Sequence, residues 1–436
     1  MFDGDRVDLS QPPGKVPWEP GALPAVTVLI PTYNRAQYLP ECLDSLFAQT
    51  IPPFQVIVIN DGSSENTGLL LAPYVNQIEY IETHNMGKSA ALNAAMPRVR
   101  GDYVWIFDDD DVALPDALER FARALEQNPD CGFAYSTFYI SRTHPENGQI
   151  GVEREWQIGE MEEHQFLTRL MEANFLCGAG IFVRTSCYKE VGPFREDLIR
   201  SQDYEMALRL SRKYRGVRID GPTFHYRQHG GMRGSSLDRF LARKRVDKWR
   251  EYDRKFFREL RSELDLREYL PGGASRTELS PMDARRAYLQ RATIMASKGM
   301  YEEMLEDLKL AVASPPPGAP LSDAEVSILW RAIGYTWLGD ELYTHPKFML
   351  AVREICSGTT GRQVRGELGR AIYWRVLDAW HRGEFRRAME AARADYRLLG
   401  PSGLSRLALG KLASIVGFAP RQKNRRGLHG QFGLRP

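Results

Sequence analysis

Tyr103-Val104-Trp105-Ile106-Phe107-Asp108-Asp109-Asp110-Asp111 runs five apolar residues straight into four carboxylates. A short apolar run of this kind reads as a buried strand. Four adjacent acids are too costly to bury unless something pairs them. They therefore belong where the strand leaves its sheet, at the carboxyl end, which in an open α/β sheet is the edge where ligands bind. Carboxylate oxygens on neighbouring turn residues suit a hard divalent cation, Mg2+ or Mn2+, and such a cation suits a diphosphate. The acids alone would serve equally as an acidic surface turn. The strand ahead of them, and Pro115 opening a helix just after, favour a site.

Upstream, residues 25–30 are nearly all apolar, as a strand covered on both faces should be. They end in Pro31-Thr32-Tyr33-Asn34-Arg35, and a helix over 38–49 follows with Leu39, Leu43, Leu46 and Phe47 on one face. Residues 55–59 form a second buried strand, tipped by Asn60-Asp61-Gly62-Ser63-Ser64. A third, 78–82, leads to Asn85-Met86-Gly87-Lys88 and a small-residue helix. Strand, polar tip, helix, repeated, predicts βαβ winding around a parallel sheet. Backbone N–H groups where that helix opens, together with Lys88, suit a phosphate. The segment lacks the spacing of a P-loop, and a cap on a tightly packed helix would read the same way.

Downstream, 115–127 is an amphipathic helix with Leu118, Phe121 and Leu125 inward, and 133–140 is a strand. Residues 141–159 read as a polar excursion and 160–173 as a helix. Cys177-Gly178-Ala179-Gly180 enters a strand over 181–184, and its glycines let a ligand approach the backbone closely. Asp203 falls in the first turn of a helix, where the dipole favours its ionised form; an ordinary first-turn acid would sit there too. Residues 223–229 read as a short strand or loop ending in His229.

A chain of 436 residues has room for two domains with cores that need no staples. Its 58 basic and 56 acidic side chains nearly balance, which points to no nucleic-acid or other polyanion partner. Five scattered cysteines without a CxxC pair exclude a zinc knuckle and a disulfide framework, leaving reduced, cytosolic thiols as the plain reading. Asp3 and Asp5 with no apolar stretch behind them predict no signal peptide, and no run approaches the ~20 residues of a membrane span. The expected location is cytoplasmic, with any membrane contact peripheral and at the inner face.

The expected organisation is a flexible leader (1–24), an α/β domain (25–236), a long helix and linker (237–282), a helical domain (283–402), and an amphipathic helix with a basic tail (403–436). In the helical domain, 293–304 and 377–388 share a layout: helix, glycine (Gly299, Gly383), an aromatic two residues on (Tyr301, Phe385), charged helix. Tetratricopeptide-type hairpins look like this. The tail, with Leu404, Leu407, Leu412 and Phe418 followed by Arg421, Lys423, Arg425 and Arg426, has the composition of a helix lying on an anionic bilayer. A terminal helix docked on the helical domain has the same composition.

If the strand tips converge, an aromatic (Tyr33), a carboxylate (Asp61), a cation (Lys88), an acid cluster and a remote carboxylate (Asp203) share one site. That set fits a nucleoside diphosphate bound through a metal, with one base opposite to deprotonate an attacking hydroxyl. One base without a second carboxylate nucleophile gives direct displacement with inversion.

The motifs at 26–50, 56–64, 85–95, 101–112 and 191–210 together resemble glycosyltransferase family 2, the inverting GT-A enzymes that use nucleotide sugars. The resemblance covers residues 25–235 or so. It implies a Rossmann-like, mostly parallel α/β sheet flanked by helices, here followed by an all-α, tetratricopeptide-like domain. By position, Pro31, Thr32, Tyr33 and Arg35 are implied to line the nucleotide pocket and Asp61 to accept from the base. Lys88, Asp108 and Asp109 fall on the ribose and phosphate side, Asp110 and His229 at an Mn2+ or Mg2+ ion, and Asp203 as general base. UDP is the family's commonest donor nucleotide, with dTDP and GDP also used, and the acceptor is implied to be a glycan, a lipid-linked sugar or a protein in polysaccharide, glycolipid or glycoprotein assembly.

Two residues depart from the pattern: Gln202 replaces the common Glu before the base, and Asp109 is acidic where a small residue is usual. The helical part lies outside the resemblance and is open to dimerisation, acceptor binding or membrane docking. The competing enzyme reading, a nucleotidyltransferase, wants a Gly-rich loop after its first strand, which Pro31–Arg35 does not supply. A phosphatase would want Ser or Thr where Val112 and Ala113 stand. A helical scaffold with an inactive transferase domain is disfavoured by intact Asp61, Asp108, Asp110 and Asp203.

Overall fold

The computed structural model describes residues 24–144, 146, 148–229, 245–273, 277–314, 316–334 and 346–401, without the side chains of 245–247. Nearly all of the leader, the start of the long helix and the amphipathic basic tail lie outside these residues. The chain divides into two compact units: residues 24–158 with 174–252, and residues 159–173 with 253–401.

The first unit is built on one mixed, nine-stranded sheet. In chain order its elements are β1 (Val26–Thr32), α1 (Leu39–Phe47), β2 (Gln55–Asn60), α2 (Thr67–Leu71), β3 (Glu79–Glu82), α3 (Lys88–Ala95), β4 (Tyr103–Ile106), β5 (Val112–Ala113), α4 (Ala117–Gln127), β6 (Cys131–Thr143) and β7 (Ile150–Trp156). After α5 (Phe166–Glu172), which belongs to the second unit, come β8 (Ile181–Arg184), α6 (Thr185–Val191), α7 (Gln202–Lys213) and β9 (Arg215–Arg227).

Strand order is β3-β2-β1-β4-β8-β6-β9-β5, with β7 paired to β6. The first four strands are parallel, as the strand-and-helix alternation demands, and every residue of β1 is buried. β8 enters antiparallel between β4 and β6, so the sheet changes character at β4, the strand that carries the acids. Trp105 anchors that strand: its indole N–H donates to the Ala179 carbonyl at 2.7 Å, and its ring packs on Phe107 and Phe121.

Two readings from sequence need correction. The stretch 141–159 is no mere excursion, because β7 folds back antiparallel on β6 and stacks Trp156 on Phe138 with centroids 5.5 Å apart. Of the expected short strand or loop over 223–229, residues 223–227 are the end of the thirteen-residue β9, parallel to β6, and His229 lies two residues past it.

The second unit is helical: α5, α8 (Arg245–Glu263, from Asp253 on), α9 (Pro281–Ser297), α10 (Tyr301–Ala313), α11 (Asp323–Gly334), α12 (Pro346–Ile355), α13 (Thr359–His381) and α14 (Phe385–Leu399). The two sequence copies are helical hairpins, α9–α10 and α13–α14, each turned at a left-handed glycine, Gly299 and Gly383. Buried ionic clusters help to specify the packing, and Asp307, fully buried, takes both Arg291 and Arg261. Arg285 grips Glu325 with a two-pronged fork at 2.6 and 2.9 Å. Glu172, fully buried, takes Arg331 at 2.8–3.0 Å and the Gln290 amide at 2.7 Å. Buried charge of this kind is tolerated only when fully paired. No helix among the described residues is long and apolar enough to cross a membrane.

Candidate functional site

The tips of β1, β2 and β4 and the start of α3 do converge. Asn34 sits in the left-handed region (φ 51°), which asparagine tolerates because its short polar side chain bonds locally. Its Oδ1 accepts from the Ser64 backbone N–H at 2.8 Å, and its own N–H donates to Ser63 Oγ at 2.9 Å. The β1 and β2 tips are thereby clamped together. Gly62 (φ 69°) lies where an added Cβ would fall 2.7 Å from the Asn85 nitrogen, so the loop before α3 can press against the β2 tip. Asp61 fastens that approach: Oδ1 accepts from Met86 N–H and Oδ2 from Gly87 N–H, both at 2.9 Å. Burial raises its pKa against the pull of these donors.

Beyond β4 the four acids take four different partners. Asp108 pairs with Lys88, the first residue of α3. Asp109, 3% exposed, pairs with Arg35 at 3.2 Å, and Asp110 takes the same guanidinium nitrogen at 2.9 Å. Asp110 Oδ2 also lies 2.9 Å from His229 Nε2. Asp111 accepts from the Arg227 backbone N–H at 3.0 Å. Burial, followed by neighbouring negative charge, pushes the Asp109 and Asp111 carboxyls above the usual range, while Arg35 pulls Asp109 back. Arg35 and Lys88 are both held more firmly charged by these acids, in spite of burial.

The short β5 explains how His229 arrives. It pairs with β9 at Val112↔His225 and Ala113↔Phe224, so the end of β9 is drawn alongside the acid turn. Arg227 completes the tie. Its Nε donates to the Asp110 carbonyl at 2.7 Å, its other nitrogens reach Thr143 and Glu41, and it lies over the Tyr38 ring. Tyr38 in turn stacks on His229, with centroids 5.7 Å apart. Neither Arg227 nor Tyr38 carries a sequence signal for a place in the site, because only the structure shows that this arginine is buried.

Asp203 enters from the other side. It stands in the first turn of α7, immediately after Ser201, whose backbone is left-handed (φ 58°). Gly178 lies so close that its missing Cβ would sit 3.5 Å from Asp203 Oδ2. Lys88, the partner of Asp108, lines one cavity with Asp203 and Gly178; burial raises the Asp203 pKa, and the charge of Lys88 opposes this. Thr32 and Pro31 are buried at the end of β1, and Tyr33 is half-buried.

Asp110 and His229 are two adjacent donors of the kind a divalent cation takes. Two adjacent ligands about 2.1 Å from one octahedral ion lie roughly 3.0 Å apart, close to the 2.9 Å between Asp110 Oδ2 and His229 Nε2. Arg35 already places positive charge at that oxygen. Among the described residues no cluster of three or more His, Cys, Asp or Glu side chains is poised for a metal. A divalent ion with so few protein ligands takes the rest from phosphate and water.

With this geometry in view, residues 27–192 match the family described as Glycosyl transferase family 2. The chain carries a family 2 glycosyltransferase domain. The matched segment spans β1 to α6 and thus includes the acid turn, Asp61 and Lys88, while Asp203 and His229 lie beyond it. An uncharacterized glycosyltransferase of Haemophilus influenzae is 26% identical over 233 residues, covering 52% of this chain and 76% of that protein. The uncharacterized glycosyltransferase MJ1057 of Methanocaldococcus jannaschii is 30% identical, covering 43% and 64%. Chondroitin synthase of Pasteurella multocida is 29% identical, covering 43% of this chain but 19% of that protein. The chain thus spans less than two thirds of the latter two relatives. Among solved structures, the mannosyltransferase PcManGT of Pyrobaculum calidifontis, in complex with GDP-Man and Mn2+, aligns over 90% of this chain and 91% of its own, with TM-score 0.43 and 17% identity. S. aureus TarS 1–349 aligns over 88% and 92%, with TM-score 0.42 and 16% identity.

Proposed function

We propose that the transferase domain moves a sugar from a nucleoside-diphosphate sugar, with UDP as the nucleotide, to an acceptor hydroxyl with inversion. The observation that carries the reading is Lys88, ion-paired with Asp108 and lining one cavity with Asp203, because it joins the diphosphate side of the site to a base on the other. Tyr33 and Asp61 bind the nucleoside end. Asp61 Oδ2 keeps a lone pair for this, since it accepts from Gly87 N–H while Oδ1 accepts from Met86 N–H and Thr83 Oγ1. Lys88 and Asp108 hold the ribose and phosphates. Asp110 and His229 hold a Mn2+ or Mg2+ ion, which when bound neutralises charge on the leaving diphosphate.

The acceptor oxygen attacks the anomeric carbon as its proton passes to Asp203. The carbon–oxygen bond to the diphosphate breaks, and the nucleoside diphosphate leaves. Burial that raises the Asp203 pKa makes it a better proton acceptor. Attack opposite the leaving group in one step inverts the anomeric centre. The acceptor belongs to polysaccharide, glycolipid or glycoprotein assembly.

The test is a thermal-shift panel of UDP, dTDP, GDP and CDP, with and without Mn2+. A bound ligand raises the midpoint by linkage. A metal-dependent rise with UDP supports the reading, a rise with another nucleotide changes the donor, and no response to any removes it.

A further inference from the structure

On α14, Phe385, Met389 and Tyr396 are spaced by four and seven residues, which places them along one side of the helix. They are 55%, 50% and 51% exposed. Trp380, near the end of α13 and 54% exposed, meets Phe385 edge-on with ring centroids 5.0 Å apart. This stripe is not the face that α14 buries, which is made by Ala388, Ala391, Ala394 and Leu398. Four large apolar side chains left in water on one hairpin mark an interaction surface.

The charge beside the stripe says what it meets. Arg386, Arg393 and Arg397 repeat at seven and four, forming a basic row next to the apolar one. The Arg386 side chain is 91% exposed and paired with Glu390, and at the hairpin turn Arg387 and Arg382, 59% and 46% exposed, pair with Glu384 and Asp378. Over 378–397 the five arginines thus exceed the three acids on the water side by two, a surplus carried by Arg393 and Arg397 on the row beside the stripe. Indole and phenol rings settle at the headgroup level of a bilayer, and a neighbouring arginine row suits anionic headgroups. Two copies pairing through this face would set arginine rows close together, which disfavours the self-association reading. The chain that follows α14 has the same chemistry in sequence, apolar residues from Leu404 to Phe418 and then Arg421, Lys423, Arg425 and Arg426.

We propose that the α13–α14 hairpin is a docking surface for an anionic lipid bilayer. Trp380, Phe385, Met389 and Tyr396 enter the interface, and Arg386, Arg393 and Arg397 lie against the headgroups. Stable attachment of a peripheral protein takes two signals, and the hairpin is one of them whatever the tail contributes.

The test is co-sedimentation of the full chain with phosphatidylcholine vesicles, with and without phosphatidylglycerol, across a salt series. Three variants are compared: Trp380→Ser with Phe385→Ser, Arg386→Glu with Arg393→Glu, and alanine at Arg421, Lys423, Arg425 and Arg426. Wild type should bind only the anionic vesicles and weaken as salt rises. Each hairpin variant should bind about tenfold less with helical circular dichroism unchanged, and the tail variant should retain hairpin-dependent binding. The salt series on wild type keeps the proposal exposed to failure if a variant misfolds. Absence of vesicle binding overturns it, as does loss confined to the tail variant. A hairpin variant that changes the mass by light scattering while binding vesicles normally would assign the face to a second copy instead.

Discussion

His229 Nε2 and Asp110 Oδ2 lie 2.9 Å apart although 119 positions separate them in sequence. The pairing of β5 with β9 and the grip of Arg227 on the Asp110 carbonyl bring the two side chains together. Asp110→Ala should therefore weaken Mn2+-dependent UDP binding by at least the about 10–100-fold that even outer-sphere partners are worth. His229→Ala should weaken it less. Calorimetric titration with UDP and Mn2+ checks both; unchanged affinity in Asp110→Ala would remove it as a ligand.

Asp203→Asn should leave UDP binding largely intact and lower kcat by about 10²–10⁴-fold. Near-normal turnover in a sugar-transfer assay would remove Asp203 as the base.

The pH profile follows from the same residue. Asp203 acts deprotonated, so the rate is present above its pKa and lost as pH falls through it. Burial raises that pKa, so the acid limb should lie above the ordinary carboxylate range. The Lys88 charge holds it down, and Lys88→Met should move the limb to still higher pH. A limb that moves the other way in kcat against pH would contradict the pairing of these two residues.

Gly62→Ala forces an alanine into the left-handed region and drives its Cβ toward the Asn85 nitrogen. A loss of about 1–3 kcal/mol in urea unfolding is expected, together with weaker UDP binding as the Asp61 grip on Met86 and Gly87 loosens. A variant as stable as wild type would mean that the two loops part easily.

In the second unit, Asp395 is 1% exposed, neither carboxylate oxygen has a hydrogen-bond partner among the described residues, and burial pushes its pKa up to about 7. Its folded pKa exceeds the unfolded value of about 3.9, so the folded state loses stability as pH rises from that value toward neutrality. Asp395→Asn should melt higher than wild type at pH 8, by a margin that shrinks by pH 5. A margin independent of pH would show that the group is not titrating.

The parallel half of the sheet was legible because its strands are covered on both faces, so apolar runs at 26–30, 55–59 and 103–107 stand out from the polar tips. The acid turn, Asp61, Lys88 and Asp203 were legible for the same reason: polar groups at strand tips and helix starts have few structural reasons to cluster. β7 was not, because its alternation of Val152, Arg154 and Trp156 is half solvent-facing and lacks an apolar run. β5 is two residues long and carries no pattern at all, yet it decides where His229 lies. Arg227 was hidden by composition, since a buried arginine looks like any surface arginine until its five partners assemble around it.

Glu172 has a consequence for anyone dissecting this chain. Its carboxylate is neutralised by Arg331, which follows it by 159 positions, so the insert that carries α5 matures only after most of the polypeptide has been made. Expressing the first 252 residues alone would strand a buried glutamate and the apolar side of α5 in water. An aggregated fragment would then say nothing about whether the sugar-transfer half is sound. Excising 159–173 and bridging the gap with a short polar linker is the cleaner way to isolate it.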